Sequence, residues 1–312
     1  MKKENLVILL LGLVALSIVV GIFLITNQYR EKRERKAVDL FVKEGIAVVH
    51  IYGPIEVSPV PERVFGPLYG SDYITKRLKR IAEDKRIKAV VLRINSPGGA
   101  VSASQEIYRE VLNLKKAGKK VVVSMGDVAT SGAYYIACAA DKILANEGSI
   151  TGSIGVIFAL PNIEGLMTKA GVKIITIKSG EHKDIGSAFR EMTEEEREII
   201  KSIIDSAFSQ FLEAVIASGR LKRKDAETLA DGRVFTGAQA KEAGLIDDIG
   251  SFADAVKLAG ELCGIEEPEI IDERTPFERI FEKVFEIKSS MVSTDMDRIT
   301  FPKLEYRWRP GI

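Results

Sequence analysis

The sequence predicts an α/β fold, a largely parallel sheet with a helical C-terminal part, preceded by one transmembrane helix. Three observations carry this. From Gly45 onward, short β-branched runs alternate with helix-length segments, the pattern of parallel strands joined by right-handed crossovers. Beyond Thr193 the periodicity is helical. Ahead of both, Leu6 to Ile25 is an uncharged run of 20 residues, enough to cross the hydrocarbon core as a helix.

That apolar run continues through Ile22, Phe23, Leu24 and Ile25 into Thr26, Asn27 and Gln28, with no small-residue cleavage site. An uncleaved anchor fits better than a removed secretory signal. The run has no polar face, which argues against a buried soluble helix. The expected organisation is a cytoplasmic stub and anchor over residues 1–28, a charged linker over 29–44, an α/β domain over 45–265 and a C-terminal extension over 266–312. Lys2 and Lys3 precede the span while Arg30, Lys32, Arg33, Arg35 and Lys36 follow it, so a literal count puts the C-terminal side in the cytoplasm.

Taken in order, Ile46 to Ile51 reads as a strand, Asp72 to Glu83 as a helix, and Lys88 to Ile94 as a buried apolar strand. Ser102 to Lys116 follows as a helix, with Ser102 and Gln105 forming a capping box. Lys120 to Met125 is the next strand, the small-residue segment after Ser131 a helix, and Lys142 to Ala145 and Val172 to Lys178 further strands. Thr193 with Glu196 caps a long helix reaching about Ser218, and shorter helices follow near Arg223 to Ala230, Gly237 to Ala243 and Ser251 to Leu262. Pro54 to Gly70, rich in Pro and Gly, is a long loop suited to the rim of a groove.

Composition narrows the function. With 46% hydrophobic and 29% charged residues the chain has the apolar content to bury a core. A formal net charge of +1 offers no field for nucleic acid, and no zinc-finger or RNA-binding motif is present. Two cysteines, Cys138 and Cys263, are too few for a disulfide framework or a metal site and read as small apolar fillers. No metal or cofactor is implied.

The chemistry centres on Ser131. It follows an apolar strand through Gly-Asp-Val-Ala-Thr and opens a helix, where unpaired N–H groups favour a developing negative charge. Alone, it reads most simply as a helix N-cap. A second element changes that. Asn95-Ser96-Pro97-Gly98-Gly99 follows the strand ending at Ile94, and bare glycine N–H groups at such a turn can bind a carbonyl oxygen. Gly98 and Gly132 are the candidate oxyanion donors. No Gly-Lys-Ser/Thr follows, which disfavours a phosphate loop.

The serine needs a base. Lys183 lies 52 residues downstream in a chain with only two histidines. A lysine at its reference pKa of about 10.4 is protonated, so a catalytic one must be desolvated or surrounded by positive charge. An isolated lysine is ordinarily a solvated surface charge. Asp184 would oppose such a shift if it pointed at the amine. His182 is the rival base, and His50 reads as a structural strand residue. Ser153 and Ser187 are weaker candidates for orienting the lysine.

These residues carry a resemblance. Gly-Asp-Val-Ala-Thr-Ser-Gly-Ala-Tyr-Tyr, Asn-Ser-Pro-Gly-Gly, Ser-Ile-Thr-Gly-Ser-Ile-Gly-Val, Ile-Lys-Ser-Gly-Glu-His-Lys-Asp-Ile and Asp-Gly-Arg-Val-Phe-Thr-Gly-Ala resemble the signal peptide peptidase family of SppA type, in order and spacing, over roughly Gly45 to Gly264. The resemblance implies a ClpP/crotonase-like fold, a repeated β-β-α superhelix, with a peptidase domain over 45–265. It maps the nucleophile onto Ser131, the general base onto Lys183 and the oxyanion donors onto the N–H groups of Gly98 and Gly132. It further implies a homo-oligomer with sites at subunit contacts, a lipid membrane as partner, signal peptides as substrates, and a catalytic domain facing away from the cytoplasm, against the Lys/Arg count. A crotonase-like acyl-CoA enzyme, a membrane-specific protease of resident membrane proteins and an inactive scaffold are the alternatives. Residues beyond about Glu269, including Phe277 to Ile287 and the tail ending Arg-Trp-Arg-Pro-Gly-Ile, match no motif.

Overall fold

Strand β1 (Gly45–Tyr52) opens the sheet because its residues serve both faces: Ala47, Val49 and Ile51 enter one core and Ile46 the other. The same division recurs in β2 (Ile87–Ser96), with Val90, Leu92 and Ile94 against Ala89 and Val91, and in β4 (Lys120–Thr130), with Val121, Val123 and Met125 against Val122. A strand buried on both faces is a continuous apolar run, which is why the sequence predicted these three well. The structure is a computed structural model that describes residues 44–57, 70–272 and the backbone of 304–307. The predicted anchor Leu6 to Ile25, most of the linker and of the Pro54 to Gly70 loop, and Phe277 to Ile287 lie outside the described residues. Among the described residues no helix is long and apolar enough to cross a membrane.

The main sheet runs in the order β10 (Glu269–Ile270), β1, β2, β4, β5 (Lys142–Ala145) and β9 (Asp248–Ile249), all parallel. Beyond the stretch of β4 that pairs with β5, β6 (Ile150–Gly152) pairs in parallel with the far end of β4 and antiparallel with β8 (Val234–Thr236), so the sheet is mixed. Helices α1 (Ser71–Glu83), α2 (Val101–Lys116) and α3 (Gly132–Ala137) supply the larger core through Ile74, Leu78, Ile81, Ile107, Val111 and Ile136. On the opposite face α8 (Phe252–Glu261) packs Ala255 and Ala259 against Ile46, Val91 and Val122.

After the short α4 (Glu164–Lys169), the long helix α5 (Glu194–Ala217) begins at the expected capping box: Thr193 Oγ1 accepts the Glu196 N–H at 3.2 Å, and Glu196 Oε2 accepts the Thr193 N–H at 3.0 Å. It is anchored by Phe211, fully buried and edge-on to the Tyr135 ring of α3 at 5.4 Å. Two short helices, α6 (Arg223–Leu229) and α7 (Gly237–Glu242), follow, close to where helical periodicity placed them.

Two local expectations are corrected. No capping box forms at Ser102. The helix begins at Val101, with Ala100 as its N-cap and no side-chain cap. The reason is a strand the sequence did not reveal, β3 (Gly98–Ala100), which runs directly into the helix and places Ser102 inside its first turn. Gly99 is required there: a Cβ would collide with the backbone of Ile55, whose N–H and carbonyl bond to Gly98 and Ala100 across the bridge. Val172 to Lys178 is not a strand either. It has no regular structure and lies exposed, Ile175 by 76% and Ile177 by 96%, and no strand among the described residues pairs with it.

A second sheet joins β3, β11 (Leu304–Arg307) and β7 (Ile157–Phe158), all antiparallel. The unassigned C-terminal extension therefore contributes the middle strand of a sheet whose edge is Gly98–Ala100, with Arg307 in register with Gly98 and Tyr306 with Gly99.

Candidate active site

β4 delivers Ser131. The residue sits between the end of that strand and α3 at φ 55° and ψ −119°, a region L-residues avoid, and only one other non-glycine residue among the described residues, Ser153, has positive φ. Both sides of the turn are pinned: the Ser131 N–H donates to Gly152 O and its carbonyl accepts the Tyr135 N–H, each at 2.8 Å. A strained strand-to-helix turn is the geometry that lifts a nucleophile clear of its neighbours. Ser131 is 1% exposed to bulk water but lines a cavity of about 340 Å³ with Ser153, Ile154, Val156, Phe208 and Gly232. Its Oγ has no hydrogen-bond partner among the described residues.

The candidate oxyanion donors come from two elements. β2 and β4 pair again at Ser96 and Ala129 after an irregularity between Ile94 and Ser96, which lays the Asn95–Gly99 turn beside the residues leading to Ser131. Gly98 has φ 89°, its carbonyl accepts the Ile55 N–H at 2.9 Å, and its N–H donates to Ser96 Oγ at 3.1 Å. Gly132 is the first residue of α3, so its N–H has no intrahelical acceptor. Helix α3 packs against β3, which brings the two glycines to one neighbourhood.

Lys183 is not among the residues that line the Ser131 cavity. It is exposed in a run of turns from Glu181 to Gly186, its N–H donating to Gly180 O at 3.2 Å. Its Nζ makes no hydrogen bond among the described residues, and none joins it to Ser131 within the protomer. The desolvation expected of a base is therefore not provided by the described residues of one copy. The Asp184 carboxylate is engaged by Arg190 and Lys178, which hold its pKa well below the usual range, the Arg190 hydrogen bonds first. His182 has its Nε2 3.6 Å from Glu195 Oε1, and His50 is exposed on β1 with its ring 5.1 Å from that of Tyr52. Ser187 is spent on its own turn, its Oγ accepting the Phe189 N–H at 3.3 Å. Ser153 faces the Ser131 cavity at φ 52°, with its N–H given to Arg233 O at 2.8 Å.

Sequence reasoning passed over two features. Arg190 was not singled out, although the Thr193/Glu196 capping signal three residues on marks the carboxylate it binds. Strand β11 gave no signal, since four residues of tail carry no periodicity.

Residues 113–266 match the profile of Peptidase family S49. A protein of Methanocaldococcus jannaschii named as a protease is 36% identical over 275 residues, covering 87% of this chain and 86% of that protein. The chain belongs to peptidase family S49. Protease 4 of Haemophilus influenzae is 38% identical over 221 residues, covering 71% of this chain and 35% of that one. The chloroplastic serine protease SPPA of Arabidopsis thaliana is 33% identical over 224 residues, covering 72% and 33%. Among solved structures, a ClpP1 mutant from Listeria monocytogenes aligns with TM-score 0.44 and 17% identity over 72% of this chain and 98% of that one, a loose match. This S49 member is a serine peptidase of the SppA family with an α/β fold.

Proposed function

We propose that this S49 peptidase is a membrane-anchored endopeptidase that degrades cleaved signal peptides and other hydrophobic peptides, using Ser131 as nucleophile and Lys183 of a neighbouring copy as base. The observation that carries it is the strained Ser131 turn, which opens an unpartnered hydroxyl onto a cavity. Strain of this kind, worth on the order of 1–3 kcal/mol, persists where the surrounding structure holds it for a purpose.

The second copy is argued from the arm that carries Lys183. Between Gly155 and Glu195 no residue is buried, and Leu166, Ile175 and Ile177 stand 65%, 76% and 96% exposed. An apolar arm with no core of its own is a surface built for another molecule. A neighbouring copy would cover it, give Val172 to Lys178 a strand partner that the described residues do not supply, and exclude water from the lysine.

In the reaction, the neutral Lys183 amine takes the proton of Ser131 as Oγ attacks the peptide carbonyl carbon. The oxyanion is held by the N–H groups of Gly132 and Gly98, the latter exchanging Ser96 Oγ for the substrate oxygen. The carbon–nitrogen bond then breaks, Lys183 protonates the leaving amine, and water resolves the acyl-enzyme by the reverse path. Ser153, which lines the same cavity, would accept from or donate to the incoming lysine. An extended substrate would pair with the β3 edge as β11 does. Leu6 to Ile25 would hold the enzyme in the cell membrane as a single pass, the catalytic domain on the extracytoplasmic side.

The test mixes two dead enzymes. Ser131→Ala and Lys183→Ala should each lose cleavage of a synthetic signal-peptide library read by mass spectrometry, and Ser131→Ala should lose fluorophosphonate labelling. Refolded together at equal amounts, they should regain about a quarter of wild-type activity if serine and lysine meet across a contact of randomly mixed subunits. No regain rejects the shared site, and full activity of either single variant rejects the dyad.

A further inference from the structure

The turn that carries Lys183 has no hydrophobic hold, since no residue from Gly155 to Glu195 is buried. What fixes it is polar. Arg190 Nε and Nη2 donate to the two carboxylate oxygens of Asp184 at 2.9 and 2.8 Å, and Nη2 lies 3.3 Å from the Asp184 carbonyl. The same guanidinium donates through Nη1 and Nη2 to both oxygens of Glu196 at 2.8 and 2.6 Å, and through Nη1 to Glu191 O at 3.0 Å. Every N–H of the arginine is used. Glu196 is 2% exposed and is the carboxylate of the α5 capping box, so this end of the chain of contacts belongs to the rigid body of the protein. The other end is the residue next to Lys183.

We propose that Arg190 is the positioning residue for Lys183: by gripping Asp184 and Glu196 at once, it fixes the lysine's turn to the start of α5 and keeps the Asp184 carboxylate occupied away from the amine. This rests on Lys183 being the base. The grip has two consequences. The amine is presented from a tethered turn instead of a free arm, and a misplacement of about 1 Å in such a group costs on the order of 100-fold in rate. Asp184 is also the nearest negative charge in sequence, and with Arg190 and Lys178 on it, it is not available to pair with the lysine and hold it protonated. Lysine cannot replace Arg190, because one ammonium cannot span two carboxylates with paired planar bonds.

The experiment measures kcat and KM separately for the full-length assembled enzyme as wild type, Arg190→Gln, Arg190→Lys, Lys183→Ala and the double variant Lys183→Ala/Arg190→Gln. Melting temperature and assembly are followed alongside. Arg190→Gln is expected to lose about 10- to 100-fold in kcat with KM within about twofold. Arg190→Lys, which keeps the charge and one carboxylate contact, stays folded and falls between it and wild type. The double variant should be no worse than Lys183→Ala alone, because Arg190 acts only through the lysine. Unchanged kcat in Arg190→Lys and Arg190→Gln, a loss confined to KM, or a further loss in the double variant overturns the proposal. Should Lys183→Ala keep its activity, the dyad itself is rejected, and the proposal goes with it through a separate arm of the same experiment. If Arg190→Gln does not assemble, Arg190→Lys decides alone: wild-type kcat rejects the role, and reduced kcat at unchanged KM supports it.

Discussion

Ser131 and Gly152 hold each other, the serine N–H donating to the glycine carbonyl at 2.8 Å where the end of β4 pairs with β6. Gly152 has φ 82°, and a Cβ there would stand 2.6 Å from the Phe235 ring and 3.2 Å from Arg233 O. Gly152→Ala should therefore lose about 1–3 kcal/mol of stability and loosen the turn that carries Ser131. Thermal unfolding and the rate of fluorophosphonate labelling check both effects, which should move together.

The strain at Ser131 predicts a separation of stability from function. Ser131→Gly and Ser131→Ala should both be inactive, yet the glycine variant should be the more stable by up to about 1 kcal/mol, because glycine takes φ 55° without the steric cost. Chemical denaturation of the two variants side by side measures the difference. Equal stability would mean that the turn is not strained.

Strand β11 and an extended substrate would use the same edge of β3. A tethered strand competes at high effective concentration. Removing residues 301–312 should lower KM for apolar peptides by about two- to tenfold without reducing kcat, as read from progress curves on a fluorogenic peptide. A raised KM would show instead that the tail helps to build the groove.

The Arg190 cluster sets an acid limit. Glu196 is drawn down to about 2 from 4.5, by the Arg190 hydrogen bonds first and the Thr193 N–H second, and Asp184 is lowered as well. Because both folded-state values lie below the unfolded ones, the stabilisation is fully present above about pH 4.5 and is lost as pH falls toward 2. Hydrogen exchange of the amides from Gly180 to Glu196 should quicken over that range relative to the sheet. In Arg190→Gln the carboxylates return toward ordinary values, and the acid dependence of these amides should largely vanish.

Burial pushes the Cys138 thiol up to about 12, whereas Cys263 is only partly buried and less perturbed. In native protein at pH 8 a thiol reagent should leave Cys138 untouched, and both of the chain's two cysteines should react after denaturation. Rapid native reaction at Cys138 would show that the packing around α3 opens.

Much of this fold was legible because its central strands are buried on both faces, and a doubly buried strand writes itself as an apolar run. The α5 start was legible for a different reason: a capping box is a local contract between Thr193 and Glu196, three residues apart. The same reasoning failed at Ser102, where the local signal competed with β3 and its bridge to Ile55, a contact 43 residues away in sequence for Ile55 and Gly98. Val172 to Lys178 failed for a third reason, since strand propensity needs a partner edge, and no strand among the described residues pairs with it.

By itself the sequence determined the alternating architecture and the motif order that points to the S49 family, and it named the candidate serine, glycines and lysine, because each is written in local composition and spacing. Only the tertiary structure decided that Ser131 is strained and opens onto a cavity, that Lys183 is exposed on a segment with no buried residue, that Arg190 ties that segment to α5, and that strand β11 pairs with Gly98 and Gly99. The physical reason is that strain, burial and ion pairing depend on which distant segments meet, and those meetings come from long-range closure of the chain, which residue spacing does not encode.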